Sequence, residues 1–194
     1  MGIAKGGALV SFPECNRPTG AVETIAHAPV QWGVLPSVEI ASHLVREADK
    51  RRRSGRLTEA EALLHSALES SEDAVMRAKT LHKLAVVHRR RAQYSEAEKC
   101  ARRSVAILEE QDQDALLGNH LMFLATLLVA ESRDREALDF VERALPVYEQ
   151  VLGADHIEVA FVLSVAVRLC RSCNRLASAR YYDRRRLSIG HVAS

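Results

Sequence analysis

The sequence predicts an all-α protein, an α-solenoid of about four helix-turn-helix repeats that follows an irregular N-terminal leader. Three observations lead to this prediction. Residues 37–194 are rich in strong helix formers, signals for the start of a helix recur along them, and four alanines mark a regular period. These alanines, the anchors, are Ala60, Ala97, Ala137 and Ala179, and successive ones lie 37, 40 and 42 residues apart.

The leader comprises residues 1–36. It contains five of the nine glycines and four of the five prolines, but only four charged residues. Proline breaks helices and strand ladders, so no long regular element is expected there. We predict a leader that is flexible or loosely docked through Phe12, Trp32 and Leu35, followed by a helical repeat domain at 37–194.

Helix starts are predicted by three capping boxes, in which an oxygen-bearing side chain precedes a glutamate by three residues. Gly153 stands where a helix should end, just before the third of these starts. The three pairs are Thr58 with Glu61, Ser95 with Glu98, and Asp155 with Glu158.

Positions at fixed distances from the anchors share a character. Five residues before each anchor the residue is small or turn-forming, twelve before it is small, and eight after it is apolar. Helical hairpins with this pattern have close-packed arms and must stack on their neighbours to bury their remaining face. The three sets are Gly55, Ala92, Ser132 and Asn174; Ala48, Ala85, Ala125 and Val167; and Leu68, Val105, Leu145 and Leu187.

The most specific stretch is Val147–Ala160, which reads VYEQVLGADHIEVA, and it is supported by Leu84-Ala85 and Leu124-Ala125. These residues resemble the tetratricopeptide repeat, in the longer form found in kinesin light chains. The resemblance implies a right-handed superhelix that binds peptides or partner proteins in a concave groove and is not itself a catalyst. The implied repeats are about 37–72, 73–112, 113–153 and 154–190.

Two recognition modes of such families are not predicted here. The asparagines that kinesin light chains carry before the Leu-Ala pair are replaced by His82-Lys83 and Met122-Phe123. The Lys and Asn positions of the carboxylate clamp that holds chaperone C-termini map to Val45 and Asp49 in the first repeat.

The resemblance also implies that the first helix of each hairpin lines the groove. Nine of the inward positions then hold Lys or Arg and one holds an acid, Asp49, which leaves 18 basic and 24 acidic residues elsewhere (27−9 and 25−1). A concave surface of one sign concentrates ligands of the opposite sign. The nine are Arg46, Arg52, Arg53, Lys79, Lys83, Arg89, Arg90, Arg168 and Arg171.

We therefore predict a protein–protein interaction module or adaptor that binds an acidic segment of a partner, with Met122 and Phe123 taking an apolar anchor. No cofactor or metal is predicted. The alternative for the arginines at 51–53 and 89–91 is that they only complement helix ends. The predicted groove residues are Arg46, Lys79, His82, Lys83, Arg89, Arg90, Asn119, Met122, Phe123, Arg168 and Arg171.

Two other binding functions stay open. Arginine triplets at 51–53, 89–91 and 184–186 could follow the phosphates of a nucleic acid, although the net charge is only +2 and aromatic residues are 5% of the chain. The last helix, from about residue 177, carries Tyr181, Tyr182 and Leu187, so it could form a homodimer or be covered by the N-terminal leader.

An enzyme is not predicted, because the sequence has no GxGxxG, P-loop or GxSxG motif. Cys170 and Cys173 form a CxxC pair late in a helix, where they are interpreted as packing residues. No apolar run reaches the ~18 residues that span a bilayer, and four irregularly spaced cysteines do not make a disulfide framework. The expected location is the cytoplasm.

Overall fold

In the computed structural model of the chain, residues 37–112 and 114–192 are described, and they form eight α-helices and no strand. The predicted leader, with its docking residues Phe12, Trp32 and Leu35, lies outside the described residues. The helices are α1 (Ser37–Arg53), α2 (Leu57–Ser70), α3 (Ala74–Arg90), α4 (Tyr94–Glu110), α5 (Asp114–Ala130), α6 (Asp134–Leu152), α7 (Ile157–Ser172) and α8 (Leu176–Val192).

Consecutive helices pair into four hairpins, α1–α2, α3–α4, α5–α6 and α7–α8. Each hairpin stacks on the next through contacts of α2 with α3, α4 with α5, and α6 with α7, and α1 also touches α3. The predicted all-α, right-handed solenoid is therefore confirmed. In the part of the chain that the structure describes, no helix has the length and apolar character needed to cross a membrane.

The four anchors lie at the centre of these hairpins. Ala60, Ala97 and Ala137 are completely buried and Ala179 is 3% exposed. The residues twelve positions earlier, on the partner helix, are buried as well, and three of these four are alanines. Small side chains on both arms allow the two helix backbones to approach closely, which explains why this pair of positions repeats along the chain.

Each hairpin turn contains one residue in the left-handed region, five positions before the anchor as predicted. The next amide donates to the carbonyl five residues earlier, for example Arg56 N to Arg51 O at 2.9 Å, which is the Schellman pattern. Glycine adopts this conformation freely, whereas a side chain makes it costly. The turn residues are Gly55 (φ 79°), Ala92 (φ 59°), Ser132 (φ 61°) and Asn174 (φ 60°).

The predicted capping boxes are wrong. Thr58 and Ser95 lie inside α2 and α4 rather than before them, and the residues that do precede these helices make no capping side-chain bond. The Schellman turn leads directly into the next helix, so Arg56 and Gln93 occupy the N-cap positions, and Thr58 and Ser95 come two residues too late to cap.

The third predicted box, at Asp155, is shifted by one residue. His156 caps α7, and its Nδ1 accepts the amide of Glu158 at 3.2 Å. Gly153, with φ 92°, ends α6 as predicted.

The apolar positions eight residues after the anchors are buried or half-buried in the first three hairpins only. Leu187 of the fourth is 50% exposed, and Ile189 is buried instead at 4% exposure. Among the described residues no later helix covers α8, so its outer side, which includes Leu176 and Tyr181, stays open to solvent.

A pocket on the concave face

The first helices of the last three hairpins, α3, α5 and α7, form a concave face, and this face holds a pocket of about 560 Å³. We call it the concave pocket. Five predicted groove residues line it: Arg89 of α3, Asn119, Met122 and Phe123 of α5, and Arg168 of α7. The other lining residues are Ala125, Thr126, Val129, Tyr148, Glu158, Phe161, Ser164 and Val165.

The apolar lining comes mainly from two phenylalanines on facing helices. Phe161 is 59% exposed, which is unusual for so large an apolar side chain. Phe123 is half-buried, and its packing against the core fixes its position. Met122, by contrast, is only 8% exposed and belongs mostly to the core, so it offers a ligand little surface.

Tyr148 of α6 reaches the pocket across α5. Its hydroxyl donates to Asn119 Oδ1 at 2.6 Å, and this bond fixes the Asn119 amide at the pocket wall. The crossing requires Gly118, because a Cβ there would lie 2.9 Å from Tyr148 Cε2. Burial, together with the charge of Glu158, raises the pKa of Tyr148, so its hydroxyl stays a donor at neutral pH.

Arg89 is held against the aromatic wall. Its guanidinium carbon lies 4.9 Å from the centroid of the Phe123 ring, a cation–π geometry. Arg89 makes no ion pair with a carboxylate of the described residues, and the same is true of Arg168. Both arginines therefore remain available to an anionic group beside the apolar lining.

A stack of rings leads from Phe123 into the protein. The rings of Phe123 and His82 are in an edge-to-face arrangement, with their centroids 4.7 Å apart. The His82 ring stacks on that of His120, with 4.1 Å between the centroids and 18° between the planes. His120 Nδ1 lies 2.6 Å from Ser104 Oγ. Because Ser104 donates to Ala78 O, His120 must donate to Ser104.

Both histidines are neutral in the folded protein. Burial, helped by the charges of Lys83 and Arg89, lowers the pKa of His82 to about 4. Burial, helped by His82 and Lys79, lowers the pKa of His120 to about 3. His82 Nδ1 has no hydrogen-bond partner in the described residues. The sequence placed His82 in the groove, whereas the structure places its ring beneath the groove surface.

The basic residues nearer the N-terminus are arranged differently. Lys83 Nζ pairs with Asp49 Oδ2, and Arg52 Nε donates to Asp49 Oδ1 at 3.2 Å. Arg90 donates to the carbonyl of Arg52 at 3.1 Å. At this end of the groove, three of the predicted cations are thus already engaged within the protein.

The remaining predicted groove residues lie outside the concave pocket. Arg46 lines a separate hollow along α1 together with Glu39 and His43. Lys79 is exposed on α3, one turn from His82. Arg171 lies beside Arg168 in a smaller hollow of about 360 Å³ and is 3.9 Å from Asp183 of α8.

The arginine triplets lie at the ends of α1 and α3 and within α8, on three different hairpins. Arg51 pairs with Glu47 and Glu59, Arg91 with Glu61, and Arg185 with Glu149. Several of these pairs connect one helix of the array with another. One arginine of each triplet is therefore engaged with a carboxylate of another helix, and the structure gives no support to the nucleic-acid alternative.

The CxxC pair has the surroundings of a packing element. Cys170 is completely buried, and burial raises the pKa of its thiol. Cys173 follows the last residue of α7, and both cysteines are free thiols. No group of three or more His, Cys, Asp or Glu side chains suited to a metal ion occurs among the described residues.

The predicted groove residues did not include Phe161, Tyr148 or Glu158, and all three line the concave pocket. Tyr148 belongs to the second helix of its hairpin, which the repeat frame assigns to the outer layer. The signal that could have found it is Gly118, since a glycine inside an apolar helix often marks a close approach. Glu158 places a carboxylate in a groove predicted to be basic.

Comparison with known families gives two matches. Models described as tetratricopeptide repeat match residues 39–110 and residues 118–158, which together make up more than half of the chain. No curated protein sequence matches the chain.

Solved structures share the fold at low sequence identity. BtubC (BKLC) from P. vanneervenii is 20% identical with a TM-score of 0.66, over 79% of this chain and 69% of that one. A putative kinesin light chain of P. anserina with nearly identical TPR-like repeats is 17% identical with a TM-score of 0.65, over 79% and 76%. Aspartyl phosphate phosphatase F from Bacillus subtilis is 14% identical with a TM-score of 0.70, over 82% of this chain but only 42% of that one.

Proposed function

Because this chain belongs to the tetratricopeptide repeat family, we propose that it is a non-catalytic interaction module that binds an acidic peptide segment of a partner protein in its concave pocket. Repeat arrays of this kind present extended concave surfaces, and these surfaces are what they use for binding. The fold alone does not identify the ligand, so the proposal depends on the side chains of the pocket.

The observation that carries the proposal is the pairing of apolar and cationic groups in one pocket. Phe123 and Phe161 supply an apolar surface for a bulky side chain, and Arg89 and Arg168 stand beside it without a carboxylate partner in the described residues. A guanidinium binds a carboxylate through two parallel hydrogen bonds, so these arginines favour a ligand that carries Asp or Glu next to its apolar residue.

Glu158 gives the pocket two unlike ends. It lies in the first turn of α7, whereas Arg168 lies ten residues later on the same helix, about 15 Å along its axis, and Arg89 lies near the end of α3. A bound segment would therefore meet positive charge at one end of the pocket and a carboxylate at the other. This arrangement favours segments whose acidic residues lie to one side of the apolar residue and disfavours uniformly acidic ones.

The test is a charge reversal of the two arginines, Arg89→Glu with Arg168→Glu. Binding of a fluorescein-labelled peptide with a central leucine and glutamates on one side would be measured by fluorescence anisotropy, together with capture of the native partner. We expect the affinity for the peptide to fall about tenfold or more.

The matched control reverses two cations of α4, Lys99→Glu with Arg103→Glu, which changes the net charge equally. Both residues are exposed, and they line a different cleft, with residues of α2 and α3. Equal loss of binding in the two proteins would mean that only the net charge matters, and unchanged binding after the reversal at Arg89 and Arg168 would refute the proposed pocket.

A further inference from the structure

Asp49 of α1 is the only acidic residue at the inward positions that the repeat frame assigns, and Glu158 of α7 also lines the concave pocket. Asp49 contacts two of the nine cations at these positions. Its Oδ2 pairs with Lys83 Nζ on α3, and its Oδ1 accepts from Arg52 Nε at 3.2 Å. The contact with Lys83 joins two hairpins, since the two residues are 34 positions apart in the chain.

The carboxylate of Asp49 is partly shielded from water and ionised. The exposed fractions of the side chains are 22% for Asp49, 33% for Lys83 and 21% for Arg52. Burial opposes ionisation, but the hydrogen bonds and charges of Lys83 and Arg52 outweigh it, so the pKa of Asp49 lies below its ordinary value. At neutral pH the position therefore carries a full negative charge.

Four of the nine cations of the groove thus show two different arrangements. Lys83 and Arg52 share the carboxylate of Asp49, whereas Arg89 and Arg168 make no ion pair with a carboxylate of the described residues. A ligand carboxylate that approached Lys83 would have to displace Asp49 or accept its repulsion. One that approached Arg89 would meet a guanidinium that lies over the Phe123 ring and has no carboxylate partner in the described residues.

We propose that Asp49 is a built-in competitor for the carboxylates of the ligand and so determines which cations of the groove take part in binding. This inference rests on the proposed function, that the groove binds an acidic segment. In the native protein the acidic residues of the ligand bind at Arg89 and Arg168, and Lys83 contributes little. When the charge of Asp49 is removed, Lys83 becomes a binding residue and the groove tolerates a longer acidic run.

The experiment is a cycle of four proteins: the native chain, Asp49→Asn, Lys83→Gln and the double variant. The probe is a fluorescein-labelled peptide with a central leucine and four glutamates, and its counterpart with glutamines replacing the glutamates is the control ligand. Thermal unfolding followed by circular dichroism shows that each variant is folded, which is expected because the substituted side chains are partly exposed.

We expect Asp49→Asn to bind the acidic probe about two- to fivefold more tightly than the native chain, which corresponds to one partly exposed ion pair. Lys83→Gln alone should change the affinity by less than about twofold, and in the Asp49→Asn background it should abolish the gain. The gain should shrink as ionic strength rises, since it is electrostatic, and it should be absent for the glutamine peptide.

The possible results separate the two proposals. If the native chain binds the acidic probe and Asp49→Asn binds it no better, the competitor role of Asp49 is refuted while the acidic ligand stands. If Lys83→Gln weakens binding severalfold, and to the same extent in the native and the Asp49→Asn backgrounds, Lys83 already binds the ligand in the native chain, and the competitor role is refuted. If neither the native chain nor Asp49→Asn prefers the acidic probe to the glutamine peptide, the proposed function itself is refuted.

Discussion

The imidazole rings of His82 and His120 stack face to face, with their centroids 4.1 Å apart, between α3 and α5. Both rings are neutral in the folded protein, with pKa values of about 4 and about 3, against 6.5 for an unperturbed histidine. Two protonated rings at this distance would repel each other in a buried site, so the fold resists their protonation.

The first prediction concerns pH. Below pH 6.5 these two histidines are protonated in the unfolded chain but stay neutral in the folded one. The free energy of unfolding therefore falls as the pH drops toward 4, by at most about 1.4 kcal/mol per pH unit for each histidine. His82→Phe should reduce the decrease in melting temperature between pH 7.5 and 5, whereas replacing the exposed His65 with glutamine should not. An unchanged pH dependence in His82→Phe would argue against this origin.

The second prediction concerns the contact of Gly118 with Tyr148. Gly118→Ala brings a Cβ within 2.9 Å of the tyrosine ring, and we expect a loss of about 1–2 kcal/mol in unfolding free energy from the forced repacking. In a Tyr148→Ala background the same change should stabilise the protein by up to about 1 kcal/mol, because alanine favours the helix. Chemical denaturation of the four proteins measures both effects, and the same sign in both backgrounds would contradict the prediction.

The third prediction concerns the left-handed turn residues. Ala92 has φ 59°, and Ala92→Gly should relieve its strain and raise the unfolding free energy by about 0.5–1 kcal/mol. The control is Ala106→Gly at an exposed position inside α4, which should lower the free energy by about 1 kcal/mol. Loss of stability in both variants would show that the turn is not strained.

The fourth prediction separates binding from stability. Phe161 and Ile157 lie one turn apart on α7 and are 59% and 69% exposed, but only Phe161 lines the concave pocket. Phe161→Ser should weaken binding of the leucine-centred acidic peptide, and Ile157→Ser should not. Both proteins should melt within a few degrees of the native chain, because neither side chain is in the core. Equal effects on binding would place the ligand elsewhere.

Most of the fold could be predicted from the sequence because it depends on local periodicity. The anchor alanines and the turn positions repeat, and each follows from close helix packing or from a left-handed turn. The capping boxes failed for a physical reason: the Schellman turns lead directly into α2 and α4, which begin at Leu57 and Tyr94, so Thr58 and Ser95 lie inside the helices and not at their N-caps. The repeat pattern predicts an apolar, buried residue at Leu187, but this residue is 50% exposed because no later helix among the described residues covers α8.

The candidate site was less predictable. The repeat frame places Arg89, Phe123 and Arg168 on one face, but it carries no information about which cations are already paired. That Lys83 is held by Asp49, or that Tyr148 crosses α5 to reach Asn119, depends on contacts between helices, made by residues 34 and 29 positions apart in the chain. Such contacts are set by tertiary packing, which a single sequence does not show.

The walls of the concave pocket belong to α3, α5, α6 and α7, whereas Asp49 belongs to α1. Contacts in this array run mainly between neighbouring helices, so a terminal hairpin can open at a lower free energy than the whole domain. Detachment of α1–α2 would move the carboxylate of Asp49 away from Lys83, while the helices that line the concave pocket stay folded. Opening of the first hairpin would therefore remove the negative charge that pairs with Lys83. By linkage, an acidic ligand that binds Lys83 would favour this opening, so it would speed amide hydrogen exchange in α1 while slowing it in α5 and α7.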